Sequence, residues 1–175
     1  MTSDAPQGPR ILGSLRSEDG KGVVRMEDRF DNDMDDLWSA LTEPARLARW
    51  VAEVEGDLRP GGEFRAHFHT SGWEGTGRVE ACEPPRHFVV VTKEVSLPYE
   101  KHFDVTLTPD GDQTILVLED RGMPVDKLAA YGAGVQVHVE DLAAHVAGGE
   151  RGDGGARWGE LMPLYDDLAA KVDER

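Results

Sequence analysis

An α+β fold, with an antiparallel meander packed against one long helix late in the chain, follows from three features of the 175-residue sequence. Segment Pro124 to Gly148 is its longest uninterrupted helical pattern: Leu128, Tyr131, Val135, Val139, Leu142 and Val146 recur at steps of three and four and form one apolar stripe. From Gly56 to Asp120 short alternating runs are separated by turn signals, which is the pattern of hairpin-connected strands. Between the first strands and this meander, two short helical patterns meet at Pro44.

Residues 1 to about 10, polar with two prolines, are expected to be a loose, disordered terminus. Ile11 to Ser17 and Val23 to Phe30 read as a hairpin around Asp19-Gly20, a strong turn signal. Asn32 or Asp33 can cap a helix carrying Met34, Leu37, Trp38 and Leu41. Pro44 then suits the first position of a second helix with Leu47, Trp50 and Val51 on its apolar face. Strands are expected at Glu63 to His69, Trp73 to Glu83, His87 to Glu94, Lys101 to Thr108 and Thr114 to Glu119. Alternation puts Phe64, Ala66 and Phe68 on one face of their strand, and Phe103, Val105 and Leu107 on one face of theirs. In the long helix, Pro124 and Asp126 suit the start and Gly148-Gly149 the stop. Interior Gly132 and Gly134 each cost roughly 1 kcal/mol relative to alanine, so they call for room for a ligand or a bend over the sheet. After the loop GGERGDGG, Ala156 to Val172 forms a last helix with Trp158, Leu161, Tyr165, Leu168 and Val172.

A net charge of −15 argues against binding a phosphate backbone or an anionic lipid surface, so neither nucleic acid nor membrane is an expected partner. No apolar run reaches membrane-span length, and MTSDAPQGPR lacks the basic start and apolar stretch of a secretory signal. A single cysteine, Cys82, cannot staple the fold. These features together imply a cytoplasmic protein.

The stretch VVRMEDRFDNDMDDLWSALTEPARLARWVAEVEGDLRPGGEFRAHF resembles the opening of the heat-shock-protein-90 ATPase activator homologue family, and GWEGTGRVEACEPPRHFVV resembles its central strands. The likeness covers about residues 22 to 120, and the long helix is consistent beyond it. It implies the SRPBCC (START-like) superfamily and its helix-grip, birch-pollen-allergen-like fold. In that fold a curved antiparallel sheet wraps around a long C-terminal helix, with two short helices after the first long strand. It further implies a cavity between sheet and helix that in relatives can hold an apolar small molecule. The domain is then expected over residues 11–148, with the glycine-rich loop and last helix, 149–175, packed on it.

The run Asp31, Asp33, Asp35 and Asp36 imitates a calcium loop but places Asp36 where the loop needs glycine and Thr42 where it needs glutamate, so helix capping is the better account. His67 and His69 share a strand face, yet no third ligand is placed, and their face is opposite Phe64 and Phe68, which are expected inward. No metal or cofactor is therefore expected. Nucleophile, zinc-protease, phosphate-loop and dinucleotide motifs are all missing, so no catalytic residue is assigned.

Large aromatic side chains from separate elements give the strongest sign of binding. The expected pocket set is Phe64, Phe68, Trp73, Phe103, Tyr131, Val135 and His138, with Glu119, at a strand end, as a carboxylate near the mouth. The expected function is non-catalytic binding of a small hydrophobic or amphipathic ligand. Two alternatives stand beside it. One is a chaperone-associated module, as the family's description implies, meeting its partner through the acidic surface. The other is a polyketide cyclase or aromatase-like enzyme using His138 or Glu119. A homodimer through the N-terminal hairpin or last helix is also considered.

Overall fold

In the computed structural model, residues 10–172 are described. The loose terminus expected for residues 1 to about 10 lies outside them except for Arg10. Asp19 and Gly20 both take left-handed geometry, with φ of 53° and 78°, as a tight turn matched to strand twist requires. They join β1 (Gly13–Glu18) to β2 (Lys21–Phe30). The chain then enters α1 (Met34–Thr42), whose first turn Asp33 caps by accepting from the Asp36 amide at 2.8 Å. Capping is thus one use of the acidic run.

Pro44 opens α2 (Pro44–Trp50). Trp50 Nε1 donates to the Ala40 carbonyl at 2.9 Å, and Arg46 bonds both the carbonyl and the carboxylate of Asp36, so the two helices are fixed as an angled pair. They deliver the chain to β3 (Ala52–Gly56), pairing with β4 (Glu63–Phe68). The sequence pattern misses β3, because a five-residue strand starting two residues after Trp50 reads as the tail of α2. The meander continues through β5 (Glu74–Glu83), β6 (His87–Glu94), β7 (Glu100–Asp110) and β8 (Gln113–Pro124). All eight strands form one antiparallel sheet in the order β1-β2-β8-β7-β6-β5-β4-β3, so β8 returns to lie against β2. The curved sheet with its long helix is the helix-grip fold.

Strand β8 runs five residues further than its alternation suggests. Consequently Glu119 and Asp120 lie inside the ladder, paired with Asp104 and Phe103, and do not close a strand end.

A single turn of 3-10 helix, Val125–Lys127, leads into α3 (Leu128–Val146), later and shorter than the pattern from Pro124 implies. The expected stripe is only part of its buried surface: Ala129, Gly132, Ala133, Gln136, Val137 and Asp141 are buried as well. The reason is α4 (Gly154–Ala169), which covers the side away from the sheet, with Leu161 and Tyr165 completely buried. That apolar face of α4 packs on α3 and β1. No helix among the described residues is long and apolar enough to cross a membrane.

The two interior glycines have different jobs. A Cβ on Gly132 would lie 2.6 Å from Tyr165 Cδ1 and 3.1 Å from Leu15 Cδ2, so this position lets α4 and β1 approach. A Cβ on Gly134 would have its nearest neighbour, Trp158 Nε1, at 3.9 Å. Gly132→Ala is therefore expected to lower stability by about 1–2 kcal/mol, overpacking outweighing better helix propensity. Gly134→Ala is expected to raise it by up to about 1 kcal/mol. Urea unfolding of the two variants side by side checks the opposite signs.

Candidate functional site

A cavity of about 640 Å³ lies between the inner face of the sheet and α3. Its wall is a consequence of strand alternation. Phe64 and Phe68 from β4, Phe88 and Val90 from β6, Phe103 and Val105 from β7 and Leu118 from β8 all point to the same side. Beside them, the β4–β5 turn supplies Trp73, α2 supplies Leu47 and Trp50, and α3 supplies Tyr131, Gly134, Val135 and His138. Gly154, Gly155 and Trp158 at the start of α4 complete the rim.

Strand β5 makes the aromatic wall possible by having no side chain where two rings lie. A Cβ on Gly77 would collide with the Phe64 ring, and one on Gly75 with the Trp73 ring. The rings support one another edge-on: Phe68 meets Trp73 at 5.2 Å between centroids and His138 at 5.1 Å, and Phe88 meets Trp38 at 5.6 Å. Edge-to-face packing of this kind holds aromatic groups in place without filling the space in front of them.

Few polar groups reach this wall. Lys101 Nζ bonds Asp120 Oδ2 at 2.9 Å, with the lysine side chain 9% exposed and the aspartate 0%. The same ammonium lies 4.2 Å from the centroid of the Tyr131 ring and 5.2 Å from that of Phe103, close enough for cation–π attraction. Tyr131 and Tyr99 share a hydroxyl hydrogen bond of 2.9 Å. Burial raises the Tyr131 hydroxyl far above its ordinary value, the Tyr99 hydrogen bond adding to it. Burial also pushes the Asp120 carboxyl up, with Lys101 opposing. Two buried atoms on these lining residues, Asp120 Oδ1 and His138 Nδ1, have no hydrogen-bond partner.

The His138 side chain is half-buried with its Nδ1 fully enclosed, and burial together with the nearby Lys101 charge lowers its pKa to about 4. Above that value the ring is neutral in the fold. Between about 4 and the ordinary 6.5 the unfolded chain binds a proton that the folded chain does not, so stability from this group falls as pH drops through that window. The expected observation is that the His138 ring resonances stay at their neutral positions from pH 8 down to 5 in an NMR titration; a midpoint near 6.5 would contradict the buried placement.

Of the residues expected from sequence to line a pocket, Phe64, Phe68, Trp73, Phe103, Tyr131, Val135 and His138 come together around this cavity. Glu119 does not. It projects from the opposite face of β8, where Arg16 and Arg121 bond its carboxylate. Partial burial pushes that carboxyl up, but hydrogen bonds and charge from the two arginines outweigh this and hold it below the ordinary range. The correction is one step of register, since neighbours on a strand face opposite ways. The inward carboxylate is Asp120, and its partner is Lys101. Both were legible in principle: Lys101 continues the Phe103, Val105, Leu107 alternation, and Asp120 continues Leu116 and Leu118.

His67 and His69 have no common ligand. His67 is exposed, and His69 Nε2 donates to the Ala48 carbonyl at 2.7 Å. Among the described residues no group of three His, Cys, Asp or Glu is placed to hold a metal ion. Cys82 is half-buried, and burial pushes its thiol up.

Comparison with known proteins agrees with this architecture. The family model described as Activator of Hsp90 ATPase homolog 1-like protein matches residues 31–147. No curated protein sequence matches significantly. The crystal structure of CalU16 from Micromonospora echinospora is similar, with 25% identity, a TM-score of 0.73, and coverage of 91% of this chain and 96% of that one. DynU16, encoded in the dynemicin biosynthetic locus, is 26% identical with a TM-score of 0.68, over 75% of this chain and half of its own. A Bordetella parapertussis protein shares the fold at 23% identity, with a TM-score of 0.66 over 95% of this chain and 94% of its own. The match over residues 31–147 spans α1, α2, the whole meander and α3, which supply the cavity wall apart from its rim at the start of α4. The chain belongs to the Activator of Hsp90 ATPase homolog 1-like family, within the SRPBCC (START-like) superfamily.

Proposed function

We propose that the protein binds a small hydrophobic or amphipathic molecule in the cavity between sheet and α3. The observation that carries this reading is the cavity itself: about 640 Å³ with a mainly aromatic and aliphatic wall and few polar groups. Sites for small molecules have that size and composition. The test is mass spectrometry of what the purified protein retains after exposure to a lipid and metabolite extract, with Gly134→Leu beside it. The added side chain projects where Gly134 has open space, so it should block retention while leaving the fold stable. Retention unchanged in that variant would refute binding at this place.

A second reading has support from one feature, the half-buried His138 beside the buried Lys101–Asp120 pair on the wall. Such groups could act as acid or base on an enclosed substrate, in the manner of a cyclase or aromatase. Here a retained compound would change with time on the wild-type protein and not on His138→Ala. Identical time courses would remove His138 from the role.

A further inference from the structure

One charge on the wall of the cavity is left without a counter-charge. Lys101 and Asp120, bonded at 2.9 Å, balance each other, and the His138 ring is neutral. The remaining one is Glu94, the last residue of β6, half-buried and turned inward by the same alternation that places Phe88, Val90 and Thr92 on the wall. Its carboxylate has neither an ion pair nor a side-chain hydrogen bond among the described residues. Glu119, on the outer face, is held by two arginines.

Aromatic rings stand beside this carboxylate. Glu94 is directly opposite Gly75 in the ladder of β5 and β6, and a Cβ on Gly75 would collide with the Trp73 ring. The indole therefore takes the place of the cross-strand neighbour of Glu94, and such neighbours are about 5 Å apart. Lys101 already lies over the Tyr131 and Phe103 rings, whereas among the described residues no cation lies over Trp73. From α3, Tyr131 brings its hydroxyl close enough to feel the Glu94 charge, and Tyr99 bonds that hydroxyl at 2.9 Å. A carboxylate next to an indole attracts a cation twice, by its charge and by the negative face of the ring.

A ligand that fills the cavity as far as this end strips water from Glu94. A neutral body returns nothing for that loss, and an anion adds repulsion. An ammonium supplies the counter-charge. A metal ion does not fit, since among the described residues no three His, Cys, Asp or Glu are placed to hold one.

Resting on the proposed binding function, we infer that the ligand is an amphipathic amine, seated with its ammonium between Glu94 and Trp73 and its apolar body along Phe64, Phe68 and Phe103. Glu94 then selects positive charge and orients the molecule, and the aromatic wall supplies affinity for the rest.

The test uses the full chain and three fluorescent probes of nearly one shape: 1-pyrenemethylamine, a cation at neutral pH, 1-pyrenemethanol and 1-pyreneacetate. Physiological salt weakens the long-range pull of the net charge of −15. The expected result is that the amine binds about tenfold more tightly than the alcohol, and the carboxylate most weakly. In Glu94→Gln, amine and alcohol should bind within about twofold of each other. Asp167→Asn, which removes the same charge from the exposed side of α4, should keep the preference. Equal affinity for amine and alcohol in the wild type overturns the inference even if Glu94→Gln does not fold, and so does tightest binding of the carboxylate. A preference that survives Glu94→Gln, or that Asp167→Asn removes equally, also overturns it, because the attraction then comes from net charge. In all these outcomes the cavity-binding function survives. Failure of all three probes to bind, or binding that Gly134→Leu leaves unchanged, would instead overturn that function, and this inference with it.

Discussion

Lys101→Met alone is expected to lower stability by about 3–5 kcal/mol, because it leaves the Asp120 carboxylate buried without its counter-charge. Asp120 is completely buried, its Oδ1 already lacks a partner among the described residues, and Lys101 bonds its Oδ2. The double variant Lys101→Met/Asp120→Leu should recover most of the loss, since replacing a buried pair with apolar groups of similar size is often neutral. Thermal or urea unfolding of the single and double variants measures the difference. A pH series adds a sign. Burial raises the folded carboxyl above its ordinary 3.8, so protonation favours the fold. The deficit of Lys101→Met should therefore shrink as pH is lowered and grow as pH rises through the raised value. A deficit independent of pH, or a double variant as unstable as the single one, would show that the pair is not what holds this part of the wall.

Tyr165→Ala should have an effect of similar size, about 3–5 kcal/mol, at the opposite side of α3. The Tyr165 ring is completely buried against Gly132, and its hydroxyl accepts from the Gly13 amide at 3.1 Å. It also donates to the Gln136 side-chain oxygen. Gln136 in turn accepts from the Leu12 amide at 3.0 Å and donates to Glu140 at 3.0 Å and to the Arg10 carbonyl. One side chain from α4 thus joins the last helix, the long helix and the first strand. Tyr165→Phe keeps the ring and should lose only about 1 kcal/mol, the value of its hydrogen bonds. Chemical denaturation distinguishes the two variants. Hydrogen exchange should additionally show faster exchange at the Leu12 and Gly13 amides in both.

The fold was legible because its main signals are local. The Asp19-Gly20 turn, Pro44, the paired turn residues between strands and the period of the long helix each act over a few residues, and the structure agrees with them to within a few positions. Seven of the eight expected pocket residues surround one cavity for a similar reason, since aromatic residues at alternate strand positions must share a face. The misreadings came where a local signal stopped short. Counting β8 as ended at Glu119 made that residue look like a mouth carboxylate, but the ladder continues to Pro124 and Asp120 is the residue turned inward. A lysine and an aspartate nineteen positions apart give no sign of meeting until β7 and β8 are paired.

Gly132 and Gly134 mark the same boundary. Sequence alone established that a long helix would carry two costly glycines, and hence that something needed the space. Only the tertiary structure decided what: Tyr165 lies against Gly132, and open cavity lies by Gly134. Secondary structure, turn positions and the inward face of most strands depend on neighbours a few residues away, so the sequence by itself determined them. The Lys101–Asp120 pair, the sealing of α3 by α4 and the division of aromatic groups between core and cavity wall depend on contacts between distant segments. Burial and hydrogen bonding settle those only once the chain has closed on itself.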